Sequence, residues 1–187
     1  MHKKRALEKL IEGNKRFVNA QQAFPNLSSD RRQELLEGQN PFAIIIGCSD
    51  SRVPPEIIFE QGLGDLFVIR KAGNIIDKNV MGSAEYAAAT LDVSLVIILG
   101  HEDCGAVKSA MLDNEDSEFI KSIIKNIKPA VDKNSLYNST VNNIKIQANR
   151  LKTTGNIIPN LEKQGKLDVL GGYYSLKTGK VDFFEII

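Results

Sequence analysis

Residues 42–52, FAIIIGCSDSR, decide the fold. The first five are apolar throughout and rich in β-branched side chains, which predicts a strand covered on both faces, as in a parallel sheet. Gly47 and a polar cluster follow at once. The same order recurs at 94–105, SLVIILGHEDCG, where a buried strand at 94–99 leads through Gly100 into a second polar cluster. Between them, DLFVIR at 65–70 predicts a third strand.

Helical patterns alternate with these strands. Pro54 and Pro55 open a short helix ending near Gly62, small residues form a helix at about 80–90, and another helix begins at about Cys104. This order predicts an α/β fold of three layers, with a mostly parallel central sheet flanked by helices. Two further helices are predicted at 115–131 and 139–152, and a C-terminal hairpin at 167–176 and 180–186 that turns at Gly179.

An N-terminal helical extension precedes the sheet. Apolar residues at helical spacing from Leu7 to Val18 predict an amphipathic helix, and Ser28 is placed to cap a short second helix that stops at Gly38. No repeat or linker divides the sequence, so we predict one domain over 1–187, with a helical arm at 1–38 and an α/β core at 42–187. The first helix could pack over a partner subunit or fold back on its own domain, since its periodicity fits both equally.

The amino-acid composition and net charge argue against two classes of partner, nucleic acids and membranes. The 187 residues carry a formal net charge of +1 and are 42% apolar, which fits a globular protein without a basic surface for nucleic acid or an anionic membrane. The basic start, MHKKR, lacks the apolar stretch of a signal peptide, and the longest apolar runs are too short to cross a bilayer. We therefore expect a cytoplasmic protein with no nucleic-acid or membrane partner.

The two cysteines and the one histidine outside the N-terminus follow buried strands. Cys48 follows the first, and His101 and Cys104 follow the third, with 52 residues between Cys48 and His101. Parallel strands present their carboxyl ends at one edge of a sheet, so these side chains are expected to converge. Two thiolates and an imidazole suit zinc, and three protein ligands leave a fourth position open for catalysis. A disulfide, two buried thiols or a closed structural zinc site with a fourth protein ligand are the alternatives.

The paired motifs, CSDSR at 48–52 and H-x-x-C-G at 101–105, resemble the signature of β-class carbonic anhydrases. The resemblance continues through Gln39, through RKAGN at 70–74 and into GGYYSLKTGKV at 171–181. It implies that one Zn²⁺ per chain is bound by Cys48, His101 and Cys104. It also implies a catalytic pair, Asp50 with Arg52, and substrate contacts from Gln39 across a subunit interface.

The activity implied by this resemblance is that of a carbonate dehydratase, a lyase. Hydroxide on the metal would attack carbon dioxide and give bicarbonate and a proton. Gly105 and Gly73 are predicted to let backbone approach the substrate cavity, although turn geometry explains both glycines as well. The family resemblance further implies a homodimer or a homotetramer, with Phe24 and Tyr86 as candidate walls of a shared pocket.

The Asp50–Arg52 pair has a chemical rationale apart from the family. Two thiolates cancel the charge of Zn²⁺, so a bound hydroxide leaves the cluster net negative, and a guanidinium both offsets that charge and grips the carboxylate with two donors. If Arg52 were lost, Asp50 could cap the metal, as some members of the family do at lower pH. An ordinary ion pair in a loop is the alternative. We expect Asp50 to stay off the metal.

One departure from the resemblance concerns a noncatalytic bicarbonate site that some bacterial members build from tryptophan, arginine and tyrosine. Arg70 and Tyr174 match two of its positions, but the chain has no tryptophan and Ile45 falls at the third. We therefore expect no inhibition by bicarbonate at such a site. Hydrolysis of carbon disulfide or carbonyl sulfide, an inert zinc protein and a dithiol redox protein are the competing functions, and the last lacks the usual C-x-x-C.

Overall fold

The computed structural model describes residues 2–114 and 117–186. Its first half runs α1 (Lys3–Val18), α2 (Ser29–Glu34) with a 3₁₀ turn (Leu35–Glu37), β1 (Ala43–Gly47), α3 (Pro55–Ile58), β2 (Leu66–Arg70), a 3₁₀ turn (Ala72–Asn74) and α4 (Lys78–Thr90). Its second half runs β3 (Leu95–His101), α5 (Gly105–Leu112), α6 (Glu118–Ile127) with a 3₁₀ turn (Lys128–Ala130), α7 (Leu136–Thr153), α8 (Ile157–Lys163), β4 (Asp168–Tyr174) and β5 (Val181–Glu185).

The strands form one five-stranded sheet in the order β2-β1-β3-β4-β5. The first four are parallel, and β5 pairs antiparallel with β4 as the predicted hairpin. β1 leads to β2 on one side and has β3 on the other, so the connections diverge between β1 and β3. A crevice at such a divergence, outside the carboxyl ends of the strands, is where ligands bind in open α/β sheets.

Helices cover both faces of the sheet, which confirms the three-layer prediction. Alternate residues of β1 and β3 point to opposite faces because side chains in a strand alternate. Ile44, Ile46 and Ile98 pack with α4, α7 and α8, whereas Ile45 and Ile97 pack with α1 and α3. Every residue of β1 and β3 is buried, as predicted for strands with no solvent-facing side.

The N-terminal helix lies on its own sheet. Ala6 and Leu10 of α1 are fully buried against residues of β1, β3 and α3. Asn14 fastens the helix to the hairpin, since its amide donates to the carbonyl of Gly179 at 2.8 Å and accepts from the N–H of Val181 at 2.9 Å. Within this chain the helix folds back on its own domain, and residues 3–18 form part of a helical layer on this sheet.

Several element boundaries differ from the predictions for local reasons. Asp77 and Ser135 cap α4 and α7, so these helices begin earlier than predicted. The predicted helix at 115–131 begins outside the described residues at Glu115, and from Glu118 it is helical up to a 3₁₀ turn at Pro129. The sequence pattern does not indicate α8, which is short and carries a proline within its first turn. Finally, β3 extends two residues beyond the predicted strand, through His101.

Candidate metal centre

Three side chains meet at the carboxyl end of β1 and β3. The ligand atoms of Cys48, His101 and Cys104 all lie within 4.8 Å of one another. The fold brings them together because Cys48 directly follows β1, His101 ends β3 and Cys104 caps α5, and β1 is paired with β3. All three are buried, with His101 wholly inaccessible. Both cysteines are free thiols, so the disulfide alternative is not observed.

The imidazole of His101 is oriented for a metal. Its Nδ1 lies 2.8 Å from the carbonyl oxygen of Glu102. A carbonyl can only accept, so Nδ1 carries the proton and Nε2 presents a lone pair. Nε2 is fully buried and has no hydrogen-bond partner among the described residues. A buried polar atom without a partner is costly, and a metal ion between Nε2 and the two sulfurs would satisfy it.

The two thiols perturb each other in the metal-free site. Hydrogen bonding from the Cys104 thiol is the main reason that the pKa of Cys48 lies well below its usual range, and the backbone N–H of Gly73 also donates to the Cys48 sulfur. That same proton donation to Cys48, together with burial, raises the pKa of Cys104. Both must be thiolates to bind a metal, so binding releases a proton.

These observations fit the donor set to zinc. Two sulfurs and one imidazole nitrogen are the ligand types that Zn²⁺ takes in tetrahedral sites. Within the ranges 2–114 and 117–186, this is the group of three or more histidine, cysteine or acidic side chains placed to hold a metal ion. No fourth protein ligand completes it there, so the arrangement is that of an open site rather than a closed structural one.

Asp50 and Arg52 form a bidentate salt bridge at the edge of this centre. Arg52 Nε donates to Asp50 Oδ1 at 2.9 Å and Nη2 donates to Oδ2 at 2.8 Å. The Arg52 side chain is the main reason that the pKa of Asp50 lies far below its ordinary value. Asp50 Oδ2 is 4.0 Å from the Nε2 of His101. The carboxylate therefore lies close to the His101 donor atom while both of its oxygens are held by Arg52, and it is ionised at neutral pH.

Other residues hold this pair and the loop that carries it. Arg52 also contacts Asp103, whose carboxylate pairs with Lys108. Arg70 donates to the backbone carbonyls of Cys48 and Asp50. The sequence resemblance matches Arg70 and Tyr174 to a possible second site, but Arg70 is on β2 and Tyr174 is buried on β4, with β1 and β3 between them.

Glu102 supports His101 from the neighbouring position. Besides the carbonyl that accepts from His101, its carboxylate accepts from Ser175 Oγ at 2.9 Å and from the N–H of Lys177 at 3.1 Å. These bonds fix the β4–β5 turn against the end of β3. The sequence offers one signal for this role, namely the position of Glu102 inside the H-x-x-C motif, but its partners are more than 70 residues away.

The remaining predicted site residues lie apart from the three donors or at their rim. Gly105 is exposed at the start of α5, and a Cβ there would meet nothing within 4 Å. Gln39 is exposed and precedes β1, so it lies at the end of that strand opposite Cys48. Phe24 and Tyr86 are 61% and 49% exposed. Within this chain, none of Gln39, Phe24 and Tyr86 is brought to the donors.

A cavity of about 510 Å³ lies on the other side of the loop that joins His101 to Cys104. Its lining includes Glu102, Asp103, Tyr137 and Tyr173. None of the side chains of Cys48, His101 and Cys104 lines it.

Comparison with known proteins agrees with the geometry. Residues 43–181 match the family model for carbonic anhydrase. The chain belongs to the β-carbonic anhydrase family. Carbonic anhydrase 2 of Mycobacterium tuberculosis is 46% identical over 130 residues, which cover 67% of this chain and 63% of that protein. Carbonic anhydrase of Synechococcus elongatus is 32% identical, covering 94% of this chain and 70% of the other. The match thus spans less than two thirds of the mycobacterial relative.

Solved structures of the family share the fold. The β-carbonic anhydrase CcaA superposes with a TM-score of 0.76 at 28% identity, covering 96% of this chain and 91% of that one. A tetrameric β-carbonic anhydrase from Sordaria macrospora has a TM-score of 0.75 at 26% identity, covering 82% and 85%. Within the described residues, no helix is both long enough and apolar enough to cross a membrane.

Proposed function

We propose that this protein catalyses the reversible hydration of carbon dioxide to bicarbonate and a proton, with one Zn²⁺ held by Cys48, His101 and Cys104. The observation that carries the proposal is the unpartnered Nε2 of His101 facing two sulfurs, with an arginine-clamped carboxylate 4.0 Å away. The chemistry that zinc supplies in such a site is a water of lowered pKa, which yields hydroxide near neutral pH.

Asp50 orients the nucleophile in this proposal. Because Arg52 keeps it ionised, its carboxylate accepts a hydrogen bond from the nucleophile's O–H and aims an oxygen lone pair at the carbon of carbon dioxide. Arg52 also offsets the negative charge that accumulates as bicarbonate forms beside two thiolates. Gly105, with no side chain in the way, leaves space for the substrate to approach at the rim of the centre.

We also propose that the working unit is a homodimer or a multiple of it, in which each site receives Gln39 from a second copy of the chain. Gln39 is exposed at the wrong end of β1 to reach its own Cys48. Large apolar side chains are exposed on the segments around it, namely Phe24, Leu27, Leu36, Ile57 and Leu63. Such a surface suits contact with a second copy. Since zinc binding needs reduced thiols, we propose a reducing compartment, the cytoplasm.

The proposed function predicts that zinc-loaded protein hydrates carbon dioxide well above the uncatalysed rate in a stopped-flow assay. We expect about one zinc per chain by elemental analysis, and loss of turnover when the metal is stripped and its return when zinc is restored. Turnover of carbonyl sulfide or carbon disulfide without turnover of carbon dioxide would show that the substrate is misassigned. Stoichiometric zinc without turnover of any of these gases would identify an inert zinc protein.

The shared site makes a second prediction, which concerns Gln39→Ala and Asp50→Asn. Each variant alone is expected to be nearly inactive. If the two are mixed and allowed to exchange subunits, half of the dimers are mixed and each mixed dimer regains one intact site, so about a quarter of the wild-type activity should return. The same mixture, with each variant cross-linked beforehand so that its subunits cannot exchange, is the control. No recovery after demonstrated exchange would contradict the sharing of Gln39.

A further inference from the structure

A row of buried polar side chains on α7 holds the loop that follows β2. Asn143, Gln147 and Arg150 lie on one face of the helix, and Asn143 and Gln147 are fully buried. Asn143 Nδ2 donates to the carbonyl of Gly73 at 2.9 Å, and Gln147 Oε1 accepts from the N–H of Ile76 at 2.9 Å. Gln147 Nε2 also donates to Asn143 Oδ1 at 3.1 Å, which fixes how the Asn143 amide is turned.

The loop held in this way reaches the metal centre through Gly73. Its N–H donates to Cys48 Sγ at 3.3 Å, and its carbonyl is the group that accepts from Asn143. Gly73 has a left-handed backbone, with φ 66° and ψ 20°. A Cβ there would lie 2.5 Å from Ile127 Cδ1 and 3.1 Å from the Cβ of Ala106. The position therefore accepts only glycine, and the direction of its N–H depends on how its two flanking peptides are held.

An asparagine at this inward-facing position of α7 calls for an explanation. The neighbouring buried residues of α7, Ile144, Ala148 and Leu151, pack in the apolar core. Burying an amide among them is costly unless it is hydrogen-bonded, and a leucine, which has the same number and branching of side-chain heavy atoms, would carry no such cost. The bonds of Asn143 all serve the segment that donates to Cys48, either directly or through Gln147.

We propose that Asn143 is a positioning residue of the metal centre, which sets the hydrogen bond from Gly73 to the Cys48 thiolate. This inference rests on the proposed metal site. An N–H bond to a thiolate draws electron density away from sulfur, so the thiolate gives less charge to the metal and its orientation is restricted. Without Asn143, the peptide at Gly73 is free to tilt, and Cys48 becomes a more electron-rich and less ordered ligand.

The test uses full-length protein loaded with Co²⁺ in place of zinc, because the thiolate-to-cobalt charge-transfer absorption reports the electron density on sulfur without any turnover. In Asn143→Leu we expect this band to move to lower energy, and zinc affinity measured by chelator competition to fall about 10–100-fold, the usual cost of losing a residue that orients a ligand. Asn143→Ala loses the donor to Gly73 without adding bulk or charge, so it should show the same shift if the leucine variant does not fold.

Arg150→Met is the matched control. Arg150 anchors the same loop from the same helix, through Nη1 to the carbonyl of Ile76 at 3.0 Å, but it does not touch Gly73. We expect it to lower the urea midpoint and to leave both the cobalt band and the zinc affinity near wild type. Wild-type band and affinity in a folded Asn143 variant, or an equal shift in Arg150→Met, would overturn the inference. Failure of the wild-type protein to bind cobalt or zinc would instead refute the metal centre itself.

Discussion

Replacing His101 with glutamine is expected to abolish carbon dioxide hydration and to remove stoichiometric zinc. His101 is the proposed nitrogen ligand, and its Nε2 is buried with no hydrogen-bond partner in the described ranges. Changing a residue that merely orients a metal ligand typically costs 10–100-fold in affinity, so removal of a ligand should cost at least about 100-fold. Metal content by elemental analysis and stopped-flow hydration on the same preparation measure the two effects.

The chain offers its own control for this substitution. His2 is the other histidine, and it lies exposed at the start of α1, where its ring accepts from the N–H of Lys4. His2→Gln should therefore keep full zinc and full turnover. Because glutamine at 101 enters a fully buried position, its urea unfolding is best compared with that of metal-stripped wild type. A His101→Gln protein that retains one zinc per chain would refute the assigned ligand set.

The convergence of the three donors is predictable because it depends on strand order and little else. Runs of β-branched residues mark β1 and β3 as strands buried on both faces. Residues that follow such strands gather at one edge of a parallel sheet. Cys48 and His101 require only that β1 and β3 be neighbours, and they are paired directly. The convergence can therefore be predicted from a local pattern, namely an apolar run of five to seven residues that is followed by a glycine and a polar cluster.

The contacts that support the donors are not predictable in the same way. Asn143 and Gly73 are 70 positions apart, and Glu102 and Ser175 are 73 apart. Whether two such side chains meet depends on the depth to which α7 settles on the sheet and on the register of β4. The close approach of α7, for example, leaves only 2.6 Å between a Cβ placed at Gly100 and the Ile144 side chain. Nothing local in either segment encodes that distance.

The proposed role of Gln39 cannot be predicted from one chain, for a different reason. Within one chain it lies before β1 and is exposed, while the metal donors lie after β1 and after β3. The residues around it that expose apolar surface are spread over several segments, from Phe24 to Leu63. Their meaning depends on a second copy of the chain, so neither the pattern of one sequence nor the fold of one chain assigns them. The subunit-mixing experiment addresses this question directly.

Replacing Arg52 with methionine is expected to reduce kcat/KM about 10²–10³-fold while leaving zinc content unchanged. The variant removes both side-chain donors that hold Asp50 and keeps only the backbone N–H of residue 52, which donates to Oδ1 at 2.9 Å. A positioned proton acceptor is typically worth 10²–10⁴-fold in rate, and here its positioning is lost while the group itself remains. Stopped-flow hydration at several substrate concentrations separates kcat from KM.

The direction of this effect follows from what the freed carboxylate does. Asp50 Oδ2 is already 4.0 Å from His101 Nε2, so a side-chain rotation brings it to the open metal position, where it competes with water.

Two further variants and a control test this explanation. Arg52→Lys keeps the positive charge but loses the bidentate hydrogen bonding to Asp50, so its kcat/KM should lie between those of Arg52→Met and wild type. Arg5→Lys, which alters an exposed arginine of α1, is the control and should leave kcat/KM unchanged. Adding Asp50→Asn to Arg52→Met should cost little more, since the pair acts as one unit. Losses that simply multiply would show that Arg52 and Asp50 act separately.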